Sequence, residues 1–287
     1  MNFLSNYFIP KPNINLFHYT GLSSLVGMSK SKAIWATSIH YLNDAMELLS
    51  ACEAIDWLLA PTKTFEKESD YSEFVRQFTG WIDSLRTDTD QHLFIFSLSE
   101  ADSQLSQWRS YTPHGKGVCL GFSPEQVVQF LQRPHTKLGK CIYEQQEQLK
   151  LVELLTTALY EAFEKNAVTY KVTKPHPYAY WPFFNAYALQ IYQVLALIKH
   201  NSFNEEREWR IISGLYDGLD QCGIREGKSM LTPYIELHFP EDGPWFNSVL
   251  LGPSPHRNLS LNSLRAFMRN ENLCDNVEAC EIPYREW

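Results

Sequence analysis

Glu206 and Glu208 stand one residue apart, with Arg210 close behind, in a late stretch (203–212) that ends in Trp, Arg, Ile and Ile and has the composition of a β-strand. Alternate side chains of a strand share a face, so Glu206, Glu208 and Arg210 are expected to point one way and Arg207, Trp209 and Ile211 the other. Three charges opposite a largely apolar face suit a strand whose second face lines a cleft, because an isolated buried charge costs too much unless it is paired. A solvated edge strand whose carboxylates pair with Arg210 accounts for the same pattern. His18, in the run His18-Tyr19-Thr20, is either a functional group ending a first strand or a satisfied structural donor. Asn43-Asp44 with Glu47 suits a helix cap, and Trp108-x-x-Tyr111 puts two aromatics on one helical face, as core or as a stacking wall.

The elements that must position these groups can be read from periodicity. Residues 14–20 alternate as a strand, and Gly21 with Ser23 opens a short helix carrying Leu22, Leu25, Val26 and Met28. A second short strand covers 33–37, and a helix capped by Asn43 or Asp44 is expected to run to about Leu59, before Pro61. Residues 63–88 have helical spacing. Residues 92–99 form a strong strand, central because both of its faces are mostly apolar. Helix 105–111, strand 117–122 and a helix opened by Ser123-Pro124-Glu125 follow. Residues 137–143 have strand character, and 144–166 and 178–199 have helical spacing on either side of a rigid Lys174-Pro175-His176-Pro177 linker. Strands at 234–239, 248–251 and 277–282, with a helix near 258–269, complete the chain. This order gives an α+β class, a mixed and mainly antiparallel sheet in a single domain over 1–287, with a helical insertion at about 144–200.

Composition narrows the function. The 287 residues carry 25 basic and 33 acidic side chains, a net charge of −8, which argues against a general phosphate-binding surface for nucleic acid. The six cysteines form no CxxC pair, and no apolar run approaches 18 residues, so thiols in a reducing compartment and a cytoplasmic protein with no membrane segment are expected. The aromatic load of 8 Trp, 15 Tyr and 17 Phe serves a core or stacks on a planar ligand. The glycines around 115–121 lead into a strand, not a helix, and Cys222 stands where a phosphate loop beginning there needs glycine, so neither is a nucleotide fingerprint. No HExxH or GxSxG occurs, and the nine histidines are scattered, so no metal site is expected.

Taken in order, Leu16-Phe17-His18-Tyr19-Thr20, Ile34-Trp35-Ala36-Thr37, Leu42-Asn43-Asp44-x-x-Glu47, Phe96-Ser97-x-Ser99, Trp108-x-x-Tyr111, Glu206-x-Glu208-Trp209-Arg210, Leu251-Gly252-Pro253 and Ile282-Pro283-Tyr284-Arg285 resemble the bacterial family called domain of unknown function 2971, from about residue 14 to 286. The His-Tyr-Thr strand and the late glutamate strand also look, more distantly, like the ADP-ribosyltransferase superfamily. That resemblance implies an NAD-dependent reaction that cleaves the nicotinamide–ribose bond. It gives Glu208 or Glu206 the role of stabilising the reacting ribose and His18 that of holding a ribose of NAD. Ser97 or Ser99 would shape the nicotinamide pocket, and Tyr19, Tyr41, Trp108 or Tyr111 would stack on the ring, with Thr20 and Arg210 beside them. The implied acceptor is a protein side chain, a nucleic acid base or water, and a toxin or phage-defence effector with an immunity or regulatory partner is the implied setting. A non-catalytic nucleotide-binding sensor or interaction domain is the first alternative. A nuclease or other hydrolase using His18 and Glu208 is the second.

Overall fold

The computed structural model describes residues 6–42, 70–85, 90–113, 116–170, 178–227, 229–241 and 243–282. The expected cap at Asn43-Asp44, Glu47 and the helix to Leu59 lie outside the described residues, as does the Pro175–Pro177 linker. In chain order the elements are β1 (Leu16–Thr20), α1 (Leu22–Ser31), β2 (Ala33–Ser38), α2 (Asp70–Ser84), β3 (Gln91–Ser99), α3 (Leu105–Tyr111), β4 (Val118–Phe122), α4 (Pro124–Phe130), β5 (Lys137–Lys140), α5 (Gln145–Lys165), α6 (Ala167–Tyr170), α7 (Trp181–Ala186), α8 (Ala188–Leu195), β6 (Glu208–Asp217), β7 (Gly223–Glu226), β8 (Leu231–His238), β9 (Ser248–Leu251), α9 (Arg257–Asn270) and β10 (Val277–Ala279). The protein is mixed α/β, with an open and mostly antiparallel sheet in which β9 and β10 alone among the described strands run parallel.

The sheet forks at β3. One edge of β3 is taken along its whole length by β6, from Gln91↔Asp217 to Ser99↔Glu208. The other edge is shared: Phe17 of β1 lies opposite Ser99, whereas Thr37 and Ser38 of β2 lie opposite Ile95 and Phe94. One branch then continues β1-β4-β9-β10 and the other β2-β8-β7, while β5 extends the trunk beyond β6. Between the branches, at Phe96, Ser97 and Leu98, this edge of β3 has no strand partner among the described residues.

Alternation along β3 explains where the core ends and the site begins. Phe94, Phe96 and Leu98 enter one core with Leu16, Leu120, Phe122, Trp209 and Ile211. Leu93 and Ile95 point to the other face and pack with Ile212 beneath α5, α7 and α8, whose Leu151, Leu155, Phe183, Phe184 and Ile191 fill a second core. The same face continues into Ser97 and Ser99, where the apolar pattern stops. α4 starts as expected: Ser123 and Gln126 form a capping box with Pro124 in the first turn.

The helices of the middle region deliver one further residue to the sheet. After α8 the chain turns back beside the segment that follows β5, with Ile142 N–H donating to the Leu197 carbonyl and Lys199 N–H donating to the Ile142 carbonyl. Gln148 of α5 clamps the two segments together, its Nε2 lying 2.8 Å from the carbonyls of Ile142 and Lys199. Lys199 is thereby fixed at the open end of the β5–β6 pair.

The strand expected over 203–212 requires a correction. Residues Asn201–Glu206 form a 3-10 helix, Arg207 is left-handed at φ 44, and β6 starts only at Glu208. β7, at Gly223–Glu226, is a strand that the sequence pattern does not signal.

Candidate functional site

Glu206 and Glu208 do converge, but not by strand alternation. The left-handed Arg207 reverses the chain between them, and the Glu206 carbonyl is held by Ser99 Oγ at 2.8 Å while the Ser99 oxygen accepts Ala101 N–H at 3.1 Å. A residue other than glycine in this conformation is uncommon and is maintained by its surroundings. Here the Arg207 carbonyl accepts Glu100 N–H and the Arg207 N–H bonds to Asn204, so both ends of the turn are tied.

The two carboxylates meet a cation absent from the sequence-based expectations. Lys199 Nζ lies 2.5 Å from Glu206 Oε2 and 2.5 Å from Glu208 Oε2. Arg210 Nε donates to Glu208 Oε1 at 2.9 Å, its Nη2 to Glu208 Oε2 at 3.1 Å, and its Nη1 to the Ala196 carbonyl at 2.7 Å. Tyr111 of α3 donates to Glu206 Oε1 at 2.7 Å, and Tyr143 Oη accepts Glu208 N–H at 2.9 Å. Lys199, Glu206, Glu208 and Arg210 are 2%, 8%, 4% and 0% exposed, so this is a buried network of two carboxylates against two cations and not a solvated edge. The expectation that Arg210 pairs with a glutamate is met, whereas the solvated setting is not.

Electrostatics fix the protonation states. Burial pushes the Glu208 carboxyl upward, but Arg210 and Lys199 outweigh it and hold its pKa at about 2. Glu208 is therefore an acceptor and a source of negative field at neutral pH, not a proton donor. The Tyr111 phenol is pushed well up by burial, against the opposing pull of Lys199, and stays a donor to Glu206. Tyr111→Phe is expected to leave Glu206 Oε1 short of a partner and to cost about 1.5–3 kcal/mol, the range for a hydrogen bond to a charged group; urea unfolding of the variant measures it.

Tyr111, Glu206 and Glu208 border an open pocket at the fork, lined also by Phe17, His18 and Tyr19 of β1, Ser97, Leu98 and Ser99 of β3 and Gln107 of α3. His18 and the glutamates, distant in sequence, thus border one pocket. Their orientations differ. Phe17, Ser99 and Glu208 lie in register and share a face, and His18 has the opposite parity, its ring stacked on Phe96 at 4.3 Å. Its Nδ1 donates to the Ser97 carbonyl at 2.9 Å, which leaves Nε2 as the acceptor. Burial, with a contribution from the positive charge of Arg225, lowers the His18 pKa to about 4 against the pull of the Ser97 carbonyl.

These two shifts predict a two-stage acid response. A depressed pKa means that the unfolded chain takes up the proton first, so stability is complete above the unfolded value and lost below it. His18 acts as pH falls from about 6.5 to about 4, contributing at most about 3 kcal/mol, and Glu208 acts from about 4.5 to about 2. Melting temperature against pH is expected to show both stages. His18→Asn, which keeps a donor for the Ser97 carbonyl, is expected to remove the upper one.

The other expected site residues divide. Tyr19 lines the pocket, but its hydroxyl is engaged, donating to the Ala101 carbonyl at 2.8 Å and accepting Gln104 N–H at 3.0 Å. Trp108 is fully buried beneath it, edge-on at 4.8 Å, so it is core and not a stacking wall. Thr20 is buried at the end of β1, Arg210 sits behind Glu208, and Tyr41 lies in a 3-10 turn after β2; none of the three lines the pocket. Lys199, Tyr143 and Gln107 were missed. A lysine closing the apolar run Ile191–Ile198 was the available signal for the first. Among the described residues, no three His, Cys, Asp or Glu side chains gather as metal ligands, and no helix is long and apolar enough to cross a membrane.

A forked, mostly antiparallel sheet with a buried ionic cluster at the fork defines the class of site. Over residues 107–211 the chain matches the family model described as a protein of unknown function (DUF2971), a stretch that contains Tyr111, Tyr143, Lys199, Glu206, Glu208 and Arg210. Neither a curated protein nor a solved structure matches the chain.

Proposed function

We propose that this protein is an ADP-ribosyltransferase-like enzyme that takes the nicotinamide–ribose end of NAD into the fork pocket and promotes cleavage of the bond between them. The observation that carries this reading is one pocket bordered by an ionised Glu208, Glu206 with its Tyr111 donor, and a neutral His18. The pocket is rich in acceptors, namely two carboxylates and the His18 imidazole, and so suits a ligand end that offers donors, such as ribose hydroxyls and a carboxamide. NAD supplies a glycosidic bond with a good leaving group, and the chain supplies the field. Glu208, fixed by Arg210 and Lys199, is the preorganised negative charge for a ribose that becomes oxocarbenium-like. The acceptor is a protein side chain, a nucleic acid base or water.

One observation favours a second reading, a nucleotide sensor without turnover: both carboxylates are already neutralised by cations, which weakens their field at the ligand. Thermal shift with NAD, ADP-ribose and unrelated nucleotides, followed by assay of nicotinamide release, separates the two. An NAD-specific shift with release supports transfer. A shift without release supports sensing, and no shift with any of them removes both.

A further inference from the structure

Arg225 is a cation that the cluster at the fork does not use. It lies on β7, at the outer edge of the second branch, and register relates it to the pocket. Arg225 pairs with Thr232 and Gly223 with Tyr234 on β8, Tyr234 pairs with Thr37 on β2, and Thr37 pairs with Ile95 on β3. Counting by twos along each strand puts Arg225, Thr37, Ile95 and Ser97 on one face, the face that bears Ser99 and Glu208. The side chain lies inward across β8: Nη2 donates to Thr37 Oγ1 at 2.8 Å, and the guanidinium carbon is 5.9 Å from the centre of the Trp35 ring, itself packed on Tyr234 at 5.0 Å.

What the guanidinium lacks is an anion. Nε is buried without a hydrogen-bond partner, and among the described residues no carboxylate forms an ion pair with Arg225. Burial lowers its pKa with no carboxylate to oppose it, Tyr234 being the countering group, and its charge reaches His18. A largely hidden, unpaired charge is costly, and stacking on Trp35 offsets part of this while leaving Nε of the planar donor fork without an acceptor. That fork matches the oxygens of a phosphate. None of the described residues lining the fork pocket is Lys or Arg, so a phosphate attached to a sugar held there must find its cation outside the pocket wall.

We infer that Arg225 binds a phosphate of the ligand whose sugar end occupies the fork pocket, which makes the protein selective for a nucleotide over the corresponding nucleoside. The inference rests on the glycosyl reading of the pocket given above.

Isothermal titration of the whole protein with NAD, nicotinamide riboside and inorganic pyrophosphate tests it and separates it from that reading. Arg225→Gln is expected to weaken NAD at least about tenfold, abolish pyrophosphate binding and leave the riboside unchanged, with added NaCl weakening NAD on the wild type alone. Wild-type affinity of Arg225→Gln for NAD and pyrophosphate would overturn the inference, and so would equal losses for NAD and the riboside. A wild type that binds pyrophosphate through Arg225 but neither NAD nor the riboside upholds the anion site and sinks the glycosyl reading. No binding of any of the three sinks both. If Arg225→Gln does not fold, Arg225→Met carries the same readings, since it keeps an unbranched apolar stem against Trp35 and removes the charge.

Discussion

Glu208→Gln is expected to reduce nicotinamide release by at least about 10²-fold and to lower stability by about 3–5 kcal/mol. The activity loss follows from the role proposed for the carboxylate, a fixed negative charge facing positive charge that grows only in the transition state. The stability loss follows from the network. Glutamine keeps an acceptor for Arg210, but its amide nitrogen turns a donor toward Lys199 or toward Arg210, whichever the oxygen does not face. The cluster is left with a buried excess of positive charge. An exposed strand would have given about 1 kcal/mol or less, and the 4% exposure of Glu208 removes that expectation. Turnover must be measured well below the lowered melting temperature, with Glu206→Gln alongside. That variant keeps the two-point contact between Glu208 and Arg210 and is expected to lose less activity. Full turnover in a destabilised Glu208→Gln protein would refute the catalytic role and leave the sensor reading.

Much of the fold was legible because period-two patterns survive in the strands that carry the core. Residues 92–99 read as a central strand with both faces apolar, and β3 is buried on both faces by separate cores. What alternation does not say is which strands share an edge, so the fork, with β1 and β2 both on one side of β3, was not visible in the sequence. The glutamates show the same limit. They were expected to converge as neighbours on one strand face, and they converge because Arg207 adopts a conformation that arginine rarely takes, stabilised by contacts from Glu100 and Asn204 that sequence patterns do not encode. Trp108 could be wall or core on its spacing, and only the packing of Tyr19 over it decides for core. Lys199 was hidden by its context, since a lysine ending an apolar run reads as a helix end meeting solvent. It is buried here because the chain after α8 runs parallel to, and bonds with, the segment at Ile142.

Lys199→Met is the sharper test of the cluster itself. Lys199 is the one residue among those described that contacts both carboxylates, so its loss leaves Glu206 with the Tyr111 hydroxyl as its remaining hydrogen bond and Glu208 with Arg210. Methionine keeps the unbranched stem, which confines the change to the charge. Uncovering a buried carboxylate in this way is expected to cost about 3–5 kcal/mol. The direction with pH then discriminates. The variant carries one buried negative charge too many, so protonating a carboxylate relieves it, and the penalty relative to wild type is expected to shrink as pH falls toward 4. The Glu208 carboxyl, no longer held down by Lys199, titrates above its wild-type value of about 2, so the lower stage of the acid response narrows from its low-pH end. Adding Glu206→Gln restores the balance of charge, so the double variant is expected to be more stable than additivity allows, with a coupling of order 1–3 kcal/mol for residues in one network. Urea unfolding of the four proteins at pH 7 and at pH 4.5 gives all of these quantities. A penalty below about 1 kcal/mol that ignores pH and adds without coupling would mean that solvent screens the cluster, and the field on which the glycosyl reading depends would be absent.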